Sequence, residues 1–144
     1  MASTHVAHDC LVGDNVIMSN LATLGGHVQI GNWAILGGGV LVHQFTQIGE
    51  HSLIGGGFRA VQDVPPFIIA ANHPLEYKGV NIVGLKRRGF SKKDMNSIKK
   101  VYRSFFRSGE NRKTAIEKIE SEFSKTKVIQ KILDFIKHSN RGII

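Results

Sequence analysis

The sequence predicts a β-solenoid followed by a small helical domain. Three observations carry this: a six-residue apolar period that never slips in the first half, glycine concentrated in that half, and helical periodicity confined to the second. Stepping by six from Val6 meets Val6, Val12, Met18, Leu24, Ile30, Leu36, Val42, Ile48, Ile54 and Ala60, all apolar. Four residues after each stand Cys10, Val16, Ala22, Val28, Ala34, Val40, Thr46, Ser52, Phe58 and Val64, mostly small or β-branched. Glycine follows the aliphatic residue at Gly13, Gly25, Gly31, Gly37, Gly49 and Gly55. Neither a helix nor an alternating strand repeats every six residues without drift. Interior glycines and β-branched residues also count against a helix. In a solenoid of very short strands, each aliphatic points into a narrow prism, the small residue fills the space beside it, and glycine allows the tight corner. Three hexapeptides then close one triangular coil of 18 residues.

After Gln62-Asp63-Val64-Pro65-Pro66 the period is expected to stop, because proline cannot donate to a strand ladder. Residues 67–90 read as an irregular or looped strand passage ending in Gly84-Leu85-Lys86-Arg87-Arg88-Gly89-Phe90. Ser91 opens a helix, with Asp94 three residues on in a capping-box arrangement. That helix carries Met95, Ile98, Tyr102, Phe105 and Phe106 at helical spacing and ends at Gly109. Two more amphipathic helices follow, with faces Ala115-Ile116-Ile119-Phe123 and Val128-Ile129-Ile132-Leu133-Ile136. These stripes are the core of a small helical bundle, not a cofactor box.

Composition divides the chain in the same way, into β-helix coils over 1–73 and a connecting segment with a three-helix domain over 74–144. Residues 1–73 hold one basic residue, Arg59, against four acids, whereas residues 74–144 hold 18 basic residues against seven acids. Of 16 glycines, 11 fall in the first part. A length of 144 residues suits one domain or two small ones. Cys10 is the sole cysteine, so no intrachain disulfide forms and a reducing compartment fits. No run of 18 apolar residues and no signal-peptide pattern occurs, which points to a cytoplasmic protein without integral membrane association. The basic second part suits nucleic acid, a membrane surface, a phosphate-bearing substrate or an acidic partner. No zinc finger, RNA-binding signature or helix-turn-helix spacing accompanies it, so no nucleic-acid partner is assigned. Arg87-Arg88, set before Gly89 at a segment junction, suits bidentate contact with phosphate or a nucleotide.

The coil period also gathers polar residues. Taken modulo 18, His43 falls at 7, His8, Gly26 and Gln44 at 8, and Asp9 and His27 at 9. Three histidines, an aspartate and a glutamine therefore share one corner, with His5 near the same edge. A histidine titrates near neutrality and can take a proton from a hydroxyl and return it to a leaving group. Asp9 can support the imidazole, though adjacent side chains rarely bond, so a contact through stacking or through His27 is expected. Ser19 and Cys10 sit at repeat positions with structural roles, which favours direct transfer over a covalent intermediate. The rival reading is a metal ion held by histidines of neighbouring coils, as in β-helical carbonic anhydrases. No spacing stands alone as a metal signature, and no metal is assigned. His51 and His138 read as ordinary solvated turn histidines without a functional role.

The runs His5-Val6-Ala7-His8-Asp9-Cys10, Gly25-Gly26-His27, Val42-His43-Gln44-Phe45, Gln62-Asp63-Val64-Pro65-Pro66 and Gly79-Val80-Asn81-Ile82-Val83-Gly84-Leu85-Lys86-Arg87-Arg88-Gly89-Phe90 resemble the acyl-carrier-protein–UDP-N-acetylglucosamine O-acyltransferases of lipid A synthesis. The resemblance covers essentially the whole chain and implies a left-handed parallel β-helix. It further implies a cytoplasmic homotrimer with active sites in clefts between adjacent prisms. A 3-hydroxyacyl group would pass from acyl carrier protein to the sugar 3-hydroxyl of UDP-N-acetylglucosamine. No cofactor is implied beyond the phosphopantetheine that delivers the acyl group. His8 matches the family's general base, Asp9 its supporting acid, and the Gly26 N–H an oxyanion donor. His5, His27, His43 and Gln44 match positions that place the sugar, phosphates or acyl group. Asn81 and Arg88 match the nucleotide end, Arg87 the phosphates, and Gly56 and His73 the gate on acyl length. Family members carry further coils ahead of this segment, so the first coil here is expected to expose apolar core and unpaired strand edges. A non-catalytic trimeric β-helix is the alternative outcome of that difference.

Overall fold

The computed structural model describes residues 1–144. Ten two-residue strands recur every six residues: β1 (His5–Val6), β2 (Leu11–Val12), β3 (Ile17–Met18), β4 (Thr23–Leu24), β5 (Gln29–Ile30), β6 (Ile35–Leu36), β7 (Leu41–Val42), β8 (Gln47–Ile48), β9 (Leu53–Ile54) and β10 (Arg59–Ala60). They stack into three parallel sheets: β1-β4-β7-β10, β2-β5-β8 and β3-β6-β9. The register joins residues 18 apart, as in His5↔Thr23, Leu11↔Gln29 and Ile17↔Ile35. Each coil's backbone N–H groups find carbonyls on the next coil, for example Leu11 N–H to Val28 O at 3.0 Å. The solenoid followed by helices agrees with the sequence expectation.

Inside the prism the six-residue ladder behaves as its periodicity requires. Leu24, Leu36 and Ile54 are fully buried, with Ala22, Val28, Ala34 and Val40 packed beside them. Removing such an aliphatic from water contributes about 1.5–3 kcal/mol. At the first coil the ladder meets solvent, where Val6 is 48% and Val12 43% exposed. The outer edges of β1, β2 and β3 pair on one side only.

The structure corrects the expected role of the ladder glycines. None of Gly13, Gly25, Gly31, Gly37, Gly49 or Gly55 has a positive φ. All but Gly55 are needed because the next coil passes too close: a Cβ on Gly31 would lie 2.5 Å from the Glu50 nitrogen, and one on Gly37 2.5 Å from that of Gly56, whereas one on Gly55 would meet the Phe58 ring at 3.0 Å. The left-handed turn comes two residues later and is mostly taken by non-glycine residues. Asp9, His27 and Phe45 occupy it at the first corner, and Asn15, Trp33, His51 and Phe67 at the second. None of these is β-branched, the class for which left-handed φ is most strained.

The strict six-residue period does break at the two prolines, as expected, but the solenoid continues past them. β11 (Ile68–Ala71) joins the third sheet against β9, with Ile69↔Leu53 and Ala70↔Ile54, two residues short of a full coil. Pro65 and Pro66 lie at the corner before β11, off the ladder. β12 (Glu76–Val80) then turns back antiparallel to β11. The looped strand passage expected over residues 67–90 is therefore a hairpin, followed by a helix that was not expected. That helix, α1 (Ile82–Arg87), begins at Asn81, whose Oδ1 accepts from the Gly84 N–H at 3.3 Å.

Three longer helices complete the chain: α2 (Lys92–Arg107), α3 (Arg112–Glu122) and α4 (Lys127–His138). Ser91, Asn111 and Thr126 cap them by accepting from the N–H three residues on. Met95, Ile98, Ile119, Ile132 and Ile136 join the prism residues in one apolar core. The Tyr102 hydroxyl donates to the Pro66 carbonyl at 2.6 Å and ties α2 to the last coil. Asp63, fully buried, makes another tie: its carboxylate accepts from the Gln47 N–H at 2.7 Å and from the Ser139 hydroxyl.

Candidate functional site

A triangular coil has three corners, and the residues singled out in the sequence divide among them. The first corner joins the sheet of β1 to that of β2. It holds His8 and Asp9 from one coil, Gly26 and His27 from the next, and His43, Gln44 and Phe45 from the third. His5 stands on β1 at the edge leading to that corner.

His8 Nδ1 and Asp9 Oδ2 are 2.9 Å apart, so the adjacent side chains do bond, contrary to expectation. The left-handed backbone of Asp9, φ 60°, distinguishes this corner from an extended strand, where successive side chains diverge. Asp9 Oδ2 also lies 3.7 Å from His27 Nε2. The hydrogen bond from His8 first, then the charge of His27, hold the Asp9 carboxyl below its ordinary range. The His27 ring meets His8 edge-on at 5.1 Å and stacks on Phe45 at 4.7 Å with 5° between planes. With Nδ1 directed at a carboxylate, His8 presents Nε2 as its free basic nitrogen.

Gly26 packs beneath that ring. A Cβ there would sit 2.7 Å from both His8 Nε2 and Cε1. The Gly26 carbonyl accepts from the Phe45 N–H at 3.0 Å, while the Gly26 N–H donates to no group within the chain. His43 Nδ1 lies 3.2 Å from the Gln44 carbonyl oxygen. His8, Asp9 and His27 also offer three donor atoms within 4.8 Å of one another, an arrangement able to accept a metal ion.

The second corner holds Arg88 and Arg87. Arg88 Nη1 lies 3.3 Å from His51 Nδ1, and its Cζ stands 5.1 Å over the Trp33 ring. Trp33, His51, Arg87, Arg88, Gly89 and Phe90 line an open cleft of about 830 Å³. Asn81 is buried behind it, with Nδ2 donating to the His51 carbonyl at 3.0 Å and Oδ1 capping α1. Its amide is thus engaged inside the fold, not presented to the cleft.

Gly56 lies at the third corner, where a Cβ would be 3.2 Å from the Gly38 carbonyl oxygen. His73 follows β11 and meets Phe58 edge-on at 6.0 Å. A separate groove of about 570 Å³, between β2-β5-β8 and α4, contains none of these residues.

Comparison with known proteins shows the family of the chain. The family model described as UDP-N-acetylglucosamine O-acyltransferase, domain 2, matches residues 63–144. The chain belongs to that family. An acyl-[acyl-carrier-protein]–UDP-N-acetylglucosamine O-acyltransferase of Aliivibrio salmonicida is 46% identical over 142 residues, 99% of this chain and 54% of the relative. The Thiobacillus denitrificans O-acyltransferase of the same name is 43% identical over 144 residues, 100% of this chain and 56% of its own length. A solved UDP-N-acetylglucosamine acyltransferase from Bacteroides fragilis superposes with a TM-score of 0.96 at 43% identity, covering 99% of this chain and 56% of that one. The chain thus spans about half the length of the acyltransferases it matches.

Sequence reasoning missed Phe45 and undervalued His51. Phe45 falls at the same position modulo 18 as Asp9 and His27, so its stacking on His27 was legible. Trp33 and His51 are likewise 18 apart, a signal masked by treating His51 alone.

Proposed function

We propose that the chain carries the acyl-transfer site of its family, passing a 3-hydroxyacyl group from acyl carrier protein to the 3-hydroxyl of UDP-N-acetylglucosamine, as in the first step of lipid A synthesis. The observation that carries the reading is the corner itself: an Asp9-oriented His8 whose Nε2 overlies Gly26. His8 Nε2 takes the proton of the sugar hydroxyl as its oxygen attacks the thioester carbonyl. The Gly26 N–H, free of internal partners, donates to the oxyanion that develops. Collapse releases the phosphopantetheine thiol, which regains the proton from His8. No resident cofactor takes part. His5, His27, His43 and Gln44 border the reacting groups, Arg87 and Arg88 hold the nucleotide diphosphate, and Asn81 supports that end from behind. Gly56 and His73 bound the acyl tail, with glycine at Gly56 leaving room for a longer chain.

The three corners face away from one another in a single prism, which supports a homotrimer with clefts between neighbouring copies. The 18 basic residues among residues 74–144 suit an acidic carrier protein. No helix is long and apolar enough to cross a membrane, and a cytoplasmic location is part of the reading. Acyl transfer assayed with this chain should fall ~10²–10⁴-fold in His8→Ala. Absence of turnover by the folded chain would instead support the non-catalytic module. The three clustered donors of His8, Asp9 and His27 favour one second reading, a metal site. Stoichiometric zinc in the purified protein, together with loss of turnover on chelation, would favour it over the metal-free base.

A further inference from the structure

His51 is nearly buried, yet it is surrounded by groups that bear on the Arg88 cleft. Its ring runs nearly parallel to Trp33 at 6.3 Å and to Phe67 at 5.9 Å, and meets Phe90 edge-on at 4.9 Å. Its carbonyl accepts from Asn81 Nδ2, and its Nδ1 faces Arg88 Nη1 at 3.3 Å. Gly84 closes the other side, since a Cβ there would lie 2.9 Å from Arg88 Nη1. The guanidinium is therefore confined by an aromatic face, a glycine and a ring nitrogen. On the far side, His51 Nε2 lies 3.9 Å from Glu50, which Lys131 of α4 holds at 3.0 Å.

We propose that His51 is a positioning residue for Arg88: its Nδ1 accepts a guanidinium N–H, and its packed ring fixes where the remaining Arg88 donors point into the cleft. The role requires an unprotonated Nδ1, because a protonated imidazole has no lone pair to offer. Burial first, then the charges of Arg88 and Lys131, lower the His51 pKa to about 4, so the acceptor is present at neutral pH. Trp33 supplies the floor on which the guanidinium rests. The consequence for ligand rests on the nucleotide-diphosphate reading of Arg88 given above.

Two substitutions separate positioning from packing. The left-handed position accepts Phe at Phe45 and Phe67, and Asn at Asn15 in the same corner column, so both His51→Phe and His51→Asn suit the local backbone. His51→Phe keeps the aromatic packing and removes the acceptor. His51→Asn keeps an acceptor near the Nδ1 position and removes the ring. UDP binding measured by calorimetry should weaken ~10-fold in His51→Phe and return to within ~3-fold of wild type in His51→Asn. Equal binding by His51→Phe and wild type, or greater loss in His51→Asn, would overturn the proposal. A ligand-independent readout comes from the Arg88 guanidinium N–H resonances, assigned by their loss in Arg88→Ala. They should be resolved in wild type and His51→Asn and averaged by rotation in His51→Phe. If wild type binds no UDP, the nucleotide reading fails, and the guanidinium spectra alone decide the role of His51.

Discussion

Gly26 lies under His8 with no space for a side chain, and its backbone has an ordinary negative φ. Gly26→Ala should therefore displace the imidazole without losing the N–H. A shift of this kind is expected to lower kcat by ~10²-fold, with the thermal midpoint falling only a few degrees, as steady-state assays and a melting curve would show. His51 gives a different readout at the residue scale. Its folded pKa of about 4 lies below the unfolded value of 6.5, so the unfolded chain binds the extra proton. The stability from its neutral form is complete above pH 6.5, declines as pH falls toward about 4, and levels off below that. Urea unfolding between those limits should show wild type losing stability faster than His51→Phe, by up to ~1.4 kcal/mol per pH unit. The histidine corner was legible because its members repeat every 18 residues: His8 with Gly26 and Gln44, and Asp9 with His27. The His8–Asp9 bond was not, because it is made at a left-handed turn that the repeat pattern does not reveal.

The coil is the natural element, and its tolerance depends on how closely the next coil passes. Gly31→Ala would drive a Cβ against the Glu50 backbone at 2.5 Å, where no rotamer change can relieve the contact. A loss of about 2 kcal/mol is expected, read as a lower denaturant midpoint. The same six-residue clock that exposed the ladder also misled at its end. Val64 bridges Ile48 and Ile69 pairs with Leu53, so the last coil is two residues short and a strict count loses it. α1 escaped notice because it has only six residues, too few for helical periodicity to appear. The C-terminal helices, by contrast, were legible from their apolar stripes and caps. What joins them to the solenoid was not: Asp63 stands just before the two prolines that end the period, and nothing in the sequence marks it as a buried acceptor for Gln47 and Ser139. Asp63→Ala leaves those two donors without their acceptor. It should cost about 3 kcal/mol, measured by urea unfolding, with the helices loosening from the last coil.

For the whole molecule, the decisive feature is that one triangular prism cannot bring its own corners together. His8, Asp9 and Gly26 stand at the first corner, whereas Arg88 stands at the second with Trp33 and His51. If one cleft needs both groups, each must come from a different copy, and the site becomes a property of the assembly. This gives the proposed homotrimer a test that size measurements alone do not provide. His8→Ala and Arg88→Ala chains should each be nearly inactive when pure. Unfolded together in equal amounts and refolded, they should assort at random. Clefts that draw His8 from one variant and Arg88 from the other would then be intact, about a quarter of the total in a cyclic assembly. Recovery of about that fraction of wild-type turnover is the expected outcome. Mixing that leaves activity at the level of the pure variants would mean that each chain builds its site alone, and the trimeric cleft would have to be abandoned.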